Sequence, residues 1–198
     1  HQQHHFHLAI NYHGGAVCFN LPWDTVPNQR PDQLFGDNAL IKEYGMQYSK
    51  LNAVMYNSPE FKNGMTYGYE WYEVDGGMQD YANYYHQSIH ATVELSNTKY
   101  PNANRLATHW QENQASMEGF LLNGLTGIHL DVDGVKNATV KLASSSRELT
   151  YAQEQLSRLS LKGAQKVSVS APGFQTQTLN LEAKPFDGTF TKVKLVSN

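Results

Sequence analysis

Three residues carry most of the chemistry this sequence could perform: His13, Glu94 and Asp24. His13 ends an alternating apolar run and is followed by Gly14 and Gly15. Two glycines leave open space beside the ring, which suits a metal ligand or a substrate contact. A histidine satisfied by backbone hydrogen bonds fits the same pattern. Glu94 lies in Ala91-Thr92-Val93-Glu94-Leu95, where alternation sets it on one face with Thr92. A carboxylate in an otherwise apolar strand is costly unless paired or functional; the competing reading is a surface Glu on a sheet edge. Asp24, after Pro22-Trp23, is either a functional acid or a plain turn residue. The densest segment is Trp71-Tyr72-Glu73-Val74-Asp75-Gly76-Gly77-Met78-Gln79-Asp80, where aromatics lead into a glycine pair. Ordered loops of this content are often functional.

The elements that must position these residues follow from periodicity. Phe6–Tyr12 alternates as a strand running into His13, and Ala16–Asn20 is a second strand ending near Pro22. Asp37 can cap a helix from Asn38 to about Met55, with Ile41, Tyr44, Tyr48, Leu51 and Met55 on one face. Residues 62–79 read as a long ordered loop. Asp80 can cap a short helix to about Gln87, ahead of a strand over Ile89–Leu95. Pro101 opens a helix with Leu106, Trp110, Met117 and Phe120 at helical spacing. Strands alternating with helices make an α/β layer.

Composition then changes. Residues 1–123 hold 6 Lys+Arg against 12 Asp+Glu, whereas residues 124–198 hold 9 against 6. Eleven of the 12 tyrosines and all three tryptophans fall in the first part. The second part has strand-like runs at Gly127–Val132, Ala138–Leu142, Lys166–Ser170, Gln175–Leu181 and Thr189–Val196. Asp133-Gly134, Pro172-Gly173 and Asp187-Gly188 separate them as turns, a pattern that predicts a small β-sandwich. Two domains, 1–123 and 124–198, are the simplest account.

Across all 198 residues, 15 Lys+Arg against 18 Asp+Glu give a net charge of −3, which argues against a nucleic-acid surface. No run reaches the ~18 apolar residues of a transmembrane segment. The single cysteine, Cys18, excludes an internal disulfide framework and a Cys-only zinc site, and reads as a buried core residue.

Taken together, the motifs resemble a family. His13-Gly14-Gly15, Leu21-Pro22-Trp23-Asp24, Asn63-Gly64, Trp71-Tyr72, Gly76-Gly77-Met78-Gln79-Asp80, Glu94-Leu95-Ser96 and Lys99-Tyr100-Pro101 occur in the order found in zinc metallocarboxypeptidases, specifically the carboxypeptidase D, E, M and N subfamily. The spacings agree as well, with 11 residues from His13 to Asp24, 7 from Tyr72 to Gln79 and 22 from Tyr72 to Glu94. The resemblance implies an α/β fold: the C-terminal part of an α/β/α mixed-sheet catalytic domain, followed by a small all-β transthyretin-like sandwich. It implies Zn2+ as cofactor, with His13 as a metal ligand and Glu94 as the general base. Tyr72 matches the tyrosine that swings over the bound C-terminal residue, and Asp24 and Gln79 match positions lining the pocket for its side chain. An acid there implies peptide or protein C-termini ending in Lys or Arg as substrates. Family members are secreted or membrane-associated, so the location implied here is secreted or periplasmic.

The departures are equally specific. The family holds zinc with an upstream His-x-x-Glu pair, and no such pair precedes His13 in this sequence; its one His-x-x-Glu, His109-Trp110-Gln111-Glu112, lies downstream. The arginines and asparagine that bind the substrate's terminal carboxylate also lie upstream in the family. The crowded His1, His4, His5 and His7 do not replace the lost ligands, since His7 and His13 on one strand are roughly 20 Å apart. The expectation is a missing N-terminal segment of the same catalytic domain as partner. The alternative is a catalytically inactive carboxypeptidase-like module for binding or structure.

Overall fold

The computed structural model describes residues 5–26, 36–86 and 88–198. Contacts divide the chain into two compact units, His1–Leu121 and Leu122–Asn198. The first contains β1 (Leu8–His13), β2 (Ala16–Leu21), α1 (Asn38–Leu51), α2 (Ala53–Tyr56), β3 (Met65–Tyr67), α3 (Gly68–Trp71), α4 (Met78–Tyr85), β4 (Ile89–Ser96) and α5 (Leu106–Leu122). Its sheet has the order β1-β4-β2-β3. β1 runs parallel to β4, β4 antiparallel to β2, and β2 parallel to β3.

Alternation gives this sheet two unlike faces. On one, Val93 stands between Tyr12 and Phe19. The Phe19 ring lies 5.6 Å from Tyr48 of α1 and 6.2 Å from Phe120 of α5, so these helices cover the apolar side. On the other face β4 presents His90, Thr92, Glu94 and Ser96. There α4 is fastened by Asn83, whose side chain donates to the His90 carbonyl at 2.7 Å and accepts from the His90 amide at 3.2 Å. The polar face is the one that can carry chemistry.

Several local expectations are corrected. The helix predicted to run to about Met55 breaks at Asn52, whose side chain accepts from the Met55 amide and starts α2. The break turns Leu51 to solvent, while Ile41, Tyr44, Tyr48 and Met55 stay buried. Residues 62–79 are not one loop: a 3-10 turn over Lys62–Gly64, β3 and α3 occupy much of that stretch. Leu106 and Trp110 of α5 are exposed; Phe120 is buried as expected, and the helix buries Asn113 and Ser116 beside it. The reason is polar: Asn113 accepts from the Asn52 side chain at 2.9 Å, and Ser116 donates to the Tyr48 carbonyl at 2.7 Å. Asp80 does not cap α4, which begins after Gly77. The expected helix end near Gln87 lies at a residue outside the described set.

The second unit comprises β5 (Gly127–Val132), β6 (Ala138–Leu142), β7 (Glu148–Tyr151), β8 (Gln155–Leu159), β9 (Gly163–Ser170), β10 (Gln177–Ala183) and β11 (Thr191–Val193). The sheets β10-β9-β6-β7 and β11-β5-β8 share one core, which includes Leu130, Val140, Leu156 and Val167. Sequence periodicity missed β7 and β8, which are short and carry Glu148, Gln155 and Arg158 among their apolar residues. Tyr151 closes the turn between them by donating its hydroxyl to the Ser157 carbonyl at 2.6 Å. Tyr151→Phe is expected to lower unfolding stability by about 1 kcal/mol, measured by urea denaturation at constant m-value.

Candidate active site

Strand register assembles one row across the polar face. His13 on β1 is aligned with Glu94 on β4, and Glu94 with Cys18 on β2. His13 Nδ1 and Glu94 Oε1 are 2.8 Å apart. The pair is asymmetric, since the His13 side chain is 48% exposed and that of Glu94 only 5%. Glu94 Oε2 is buried with no hydrogen-bond partner among the described residues. A carboxylate with one oxygen tied to an imidazole and the other unsatisfied is equipped to take up a proton. Cys18 is fully buried on the far side, and burial, then the Glu94 and Glu60 charges, push its thiol up. That leaves it an inert neighbour.

The next row on this face aligns Asn20 with Thr92, about 7 Å along the strands from Glu94. Asn20 begins the cradle around Asp24. Its Nδ2 donates to Asp24 Oδ1 at 2.8 Å, and Gln79 Nε2 donates to the same oxygen at 3.2 Å. The segment 68–74 clasps the turn from the other side: the Tyr69 amide donates to the Trp23 carbonyl at 3.0 Å, and the Val74 amide to the Asp24 carbonyl at 3.1 Å. Gly68 is required there, because a Cβ would run into the Asp24 carboxylate. Asp24 is therefore a buried acid held on several sides.

Electrostatics give this site one sign. Burial pushes Asp24 up to about 6, with the Asn20 hydrogen bond opposing and the Asp80 charge adding to the rise. Asp80 is also raised by burial, against the pull of the Asp24 and Thr25 amides. Tyr72 is 53% exposed, and its hydroxyl is raised by partial burial and then by the Glu94, Asp24 and Cys18 charges. Buried His90 is lowered to about 4 by desolvation, so it adds no positive charge at neutral pH. Asn20 Oδ1 and Gln79 Oε1, both buried, lack donors among the described residues. A cationic, donor-rich guest suits such a set of acceptors.

The structure thus joins His13 to Glu94 directly and Asp24 to Gln79 directly, with Tyr72 within electrostatic reach of both acids. Two further residues, Asn20 and Asp80, escaped sequence reasoning. Asn20 had a usable signal, since alternation puts it on the same face as Cys18. Asp80 lies in the Gly76–Asp80 motif, but an acid at a helix start points to a cap and not to the Asp24 turn.

Residues 1–116 match the zinc carboxypeptidase family. The chain belongs to that family. Among similar proteins, carboxypeptidase D of Anas platyrhynchos is 32% identical over 203 residues, which cover 90% of this chain and 14% of that protein. Carboxypeptidase D of Homo sapiens is 31% identical over 90% of this chain and 14% of its own length. The carboxypeptidase N catalytic chain of Homo sapiens is 31% identical over 96% of this chain and 45% of its own length. The chain therefore spans less than half of each of these relatives.

Zinc carboxypeptidases imply a zinc ion. Among the described residues no group of three or more His, Cys, Asp or Glu side chains is placed to hold a metal. His13 offers one imidazole. By themselves the described residues of this chain do not make up a zinc site. No helix among them is long and apolar enough to cross a membrane.

Proposed function

We propose that this chain is the C-terminal part of a zinc carboxypeptidase that releases Lys or Arg from peptide C-termini. In this reading residues 1–123 belong to the catalytic domain, and an N-terminal segment of the same domain completes it. Residues 124–198 are a transthyretin-like supporting sandwich, and the protein works in a secreted or periplasmic setting. The observation that carries the reading is the pairing of Glu94 with His13 on the same sheet face as the buried Asp24 cradle.

Glu94 takes the proton of the attacking water as oxygen adds to the scissile carbonyl. It then delivers that proton to the amine nitrogen as the C–N bond breaks. His13 would be one ligand of a bound zinc ion, which would supply polarisation of the carbonyl. Tyr72 closes over the departing residue, whose cationic side chain meets Asp24, Gln79 and Asn20. In the zinc-loaded full-length protein, kcat/KM for a C-terminal Arg or Lys peptide is expected to exceed that for Phe by about tenfold or more. Equal values would defeat the basic specificity.

A second reading, an inactive carboxypeptidase-like binding module, draws on the lack of a three-ligand metal group among the described residues. A His-x-x-Glu encoded upstream of His1 decides against it, and its absence from the reading frame decides for it.

A further inference from the structure

The pocket acid has a neighbour whose presence needs a reason. Asp80 is buried close enough to Asp24 that its charge opposes ionisation of that group. Two adjoining buried carboxylates are electrostatically unfavourable. What Asp80 does there is visible in its bonds. Oδ1 accepts from the Asp24 amide at 2.9 Å, and Oδ2 accepts from the same amide at 3.0 Å and from the Thr25 amide at 2.9 Å. Two consecutive backbone N–H groups converge on one side chain. An ionised carboxylate receives both without presenting a donor to either, whereas an Asn or Gln amide would turn its own NH2 toward one of them.

We propose that Asp80 is a positioning residue that fixes the Asp24 carboxylate and so sets the preference for basic C-terminal side chains. The proposal rests on the reading of Asp24 as the group that recognises the substrate side chain. Consecutive residues of α4 then divide the task. Gln79 holds the Asp24 side chain through Oδ1, and Asp80 holds its main chain. The helix is itself pinned to β4 through both side-chain polar atoms of Asn83. Asn20, from β2, meets the same Oδ1, so Oδ2 is the oxygen offered to a guest. Without this clamp, reorientation of Asp24 and its two flanking peptides would carry Oδ2 away from the guest without removing any group that touches substrate. Asp80 also lies in the first turn of α4, where a negative charge is favoured by the helix dipole.

The test is Asp80→Asn in the zinc-loaded full-length protein, assayed with matched peptides ending in Arg and in Phe. The Arg-to-Phe ratio of kcat/KM is expected to fall about tenfold or more, with the loss for Arg appearing chiefly in KM. An equal loss for both peptides, or an unchanged ratio, overturns the proposal. Should Asp80→Asn fail to fold, Asp80→Glu serves: it keeps the charge and both acceptor oxygens but moves the clamp by one methylene. Its ratio is expected to fall about threefold or more, and an unchanged ratio in folded Asp80→Glu overturns the proposal. A wild-type ratio near one overturns the basic-specificity reading and this proposal with it. A wild-type preference that survives in the variants overturns this proposal alone.

Discussion

Glu94→Gln is expected to lower kcat by about 10³-fold or more while peptide binding stays within about threefold of wild type. The substitution is nearly isosteric, and its amide oxygen can still meet His13 as Oε1 does now at 2.8 Å. What it loses is the capacity to hold a proton between attack of water and departure of the amine. Glu94 is buried between His13 and Cys18, neither of which is a carboxylate that could take over. Single-turnover kinetics together with inhibitor binding separate the outcomes. Loss of kcat with binding retained supports Glu94 as the base. Activity within about tenfold of wild type removes it from that role, and a parallel loss of binding marks it as an organiser of the site.

How far the site could be read in advance depended on whether its residues are local or long-range. The row His13–Glu94 was suggested by two strand ends, because period-2 alternation says which face each residue occupies. The sequence could not say that β1 and β4 are neighbours 81 positions apart, paired parallel with His13 beside Glu94. Only the family resemblance linked them. Helix faces were less legible. Leu106 and Trp110 have the spacing of a buried stripe yet lie exposed, because α5 turns Asn113 and Ser116 inward to satisfy buried polar groups of α1 and its C-terminal Asn52. Asp80 shows the same limit. An acid at the start of a helix looks like a cap, and the two amides it binds belong to a turn 55 and 56 residues earlier. In the second unit, β5 and β6 were read at their observed bounds because their apolar residues alternate cleanly. β8 was missed because its Arg158 is buried rather than exposed, which disguises the period.

Asp24→Asn is expected to lower kcat/KM for C-terminal Arg by about 10²-fold, with a much smaller change for Phe. Its pH dependence supplies a signature that packing damage would not produce. Asp24 must be ionised to attract a guanidinium, and in the free protein it titrates near 6. The wild-type Arg-to-Phe ratio should therefore rise between pH 5 and 7 and then level off, whereas the ratio in Asp24→Asn stays flat. Stability moves the other way. The folded-state value lies above the ordinary carboxylate value of 3.8, so the protonated form is the one that burial favours. Relative to an uncharged residue, Asp24 is neutral in its effect below about pH 4 and becomes destabilising as pH rises through 6. Asp24→Asn should thus match the wild-type Tm at pH 3.5 and exceed it at pH 7.5, a gain that thermal denaturation at both pH values would detect. A variant less stable at pH 7.5, with an unchanged Arg-to-Phe ratio, would mean that the Asn20–Asp24–Gln79 cradle is there to hold the turn rather than to choose the substrate. A gain in stability joined to a loss of selectivity would mean that the protein keeps a destabilising charge in place because the substrate neutralises it.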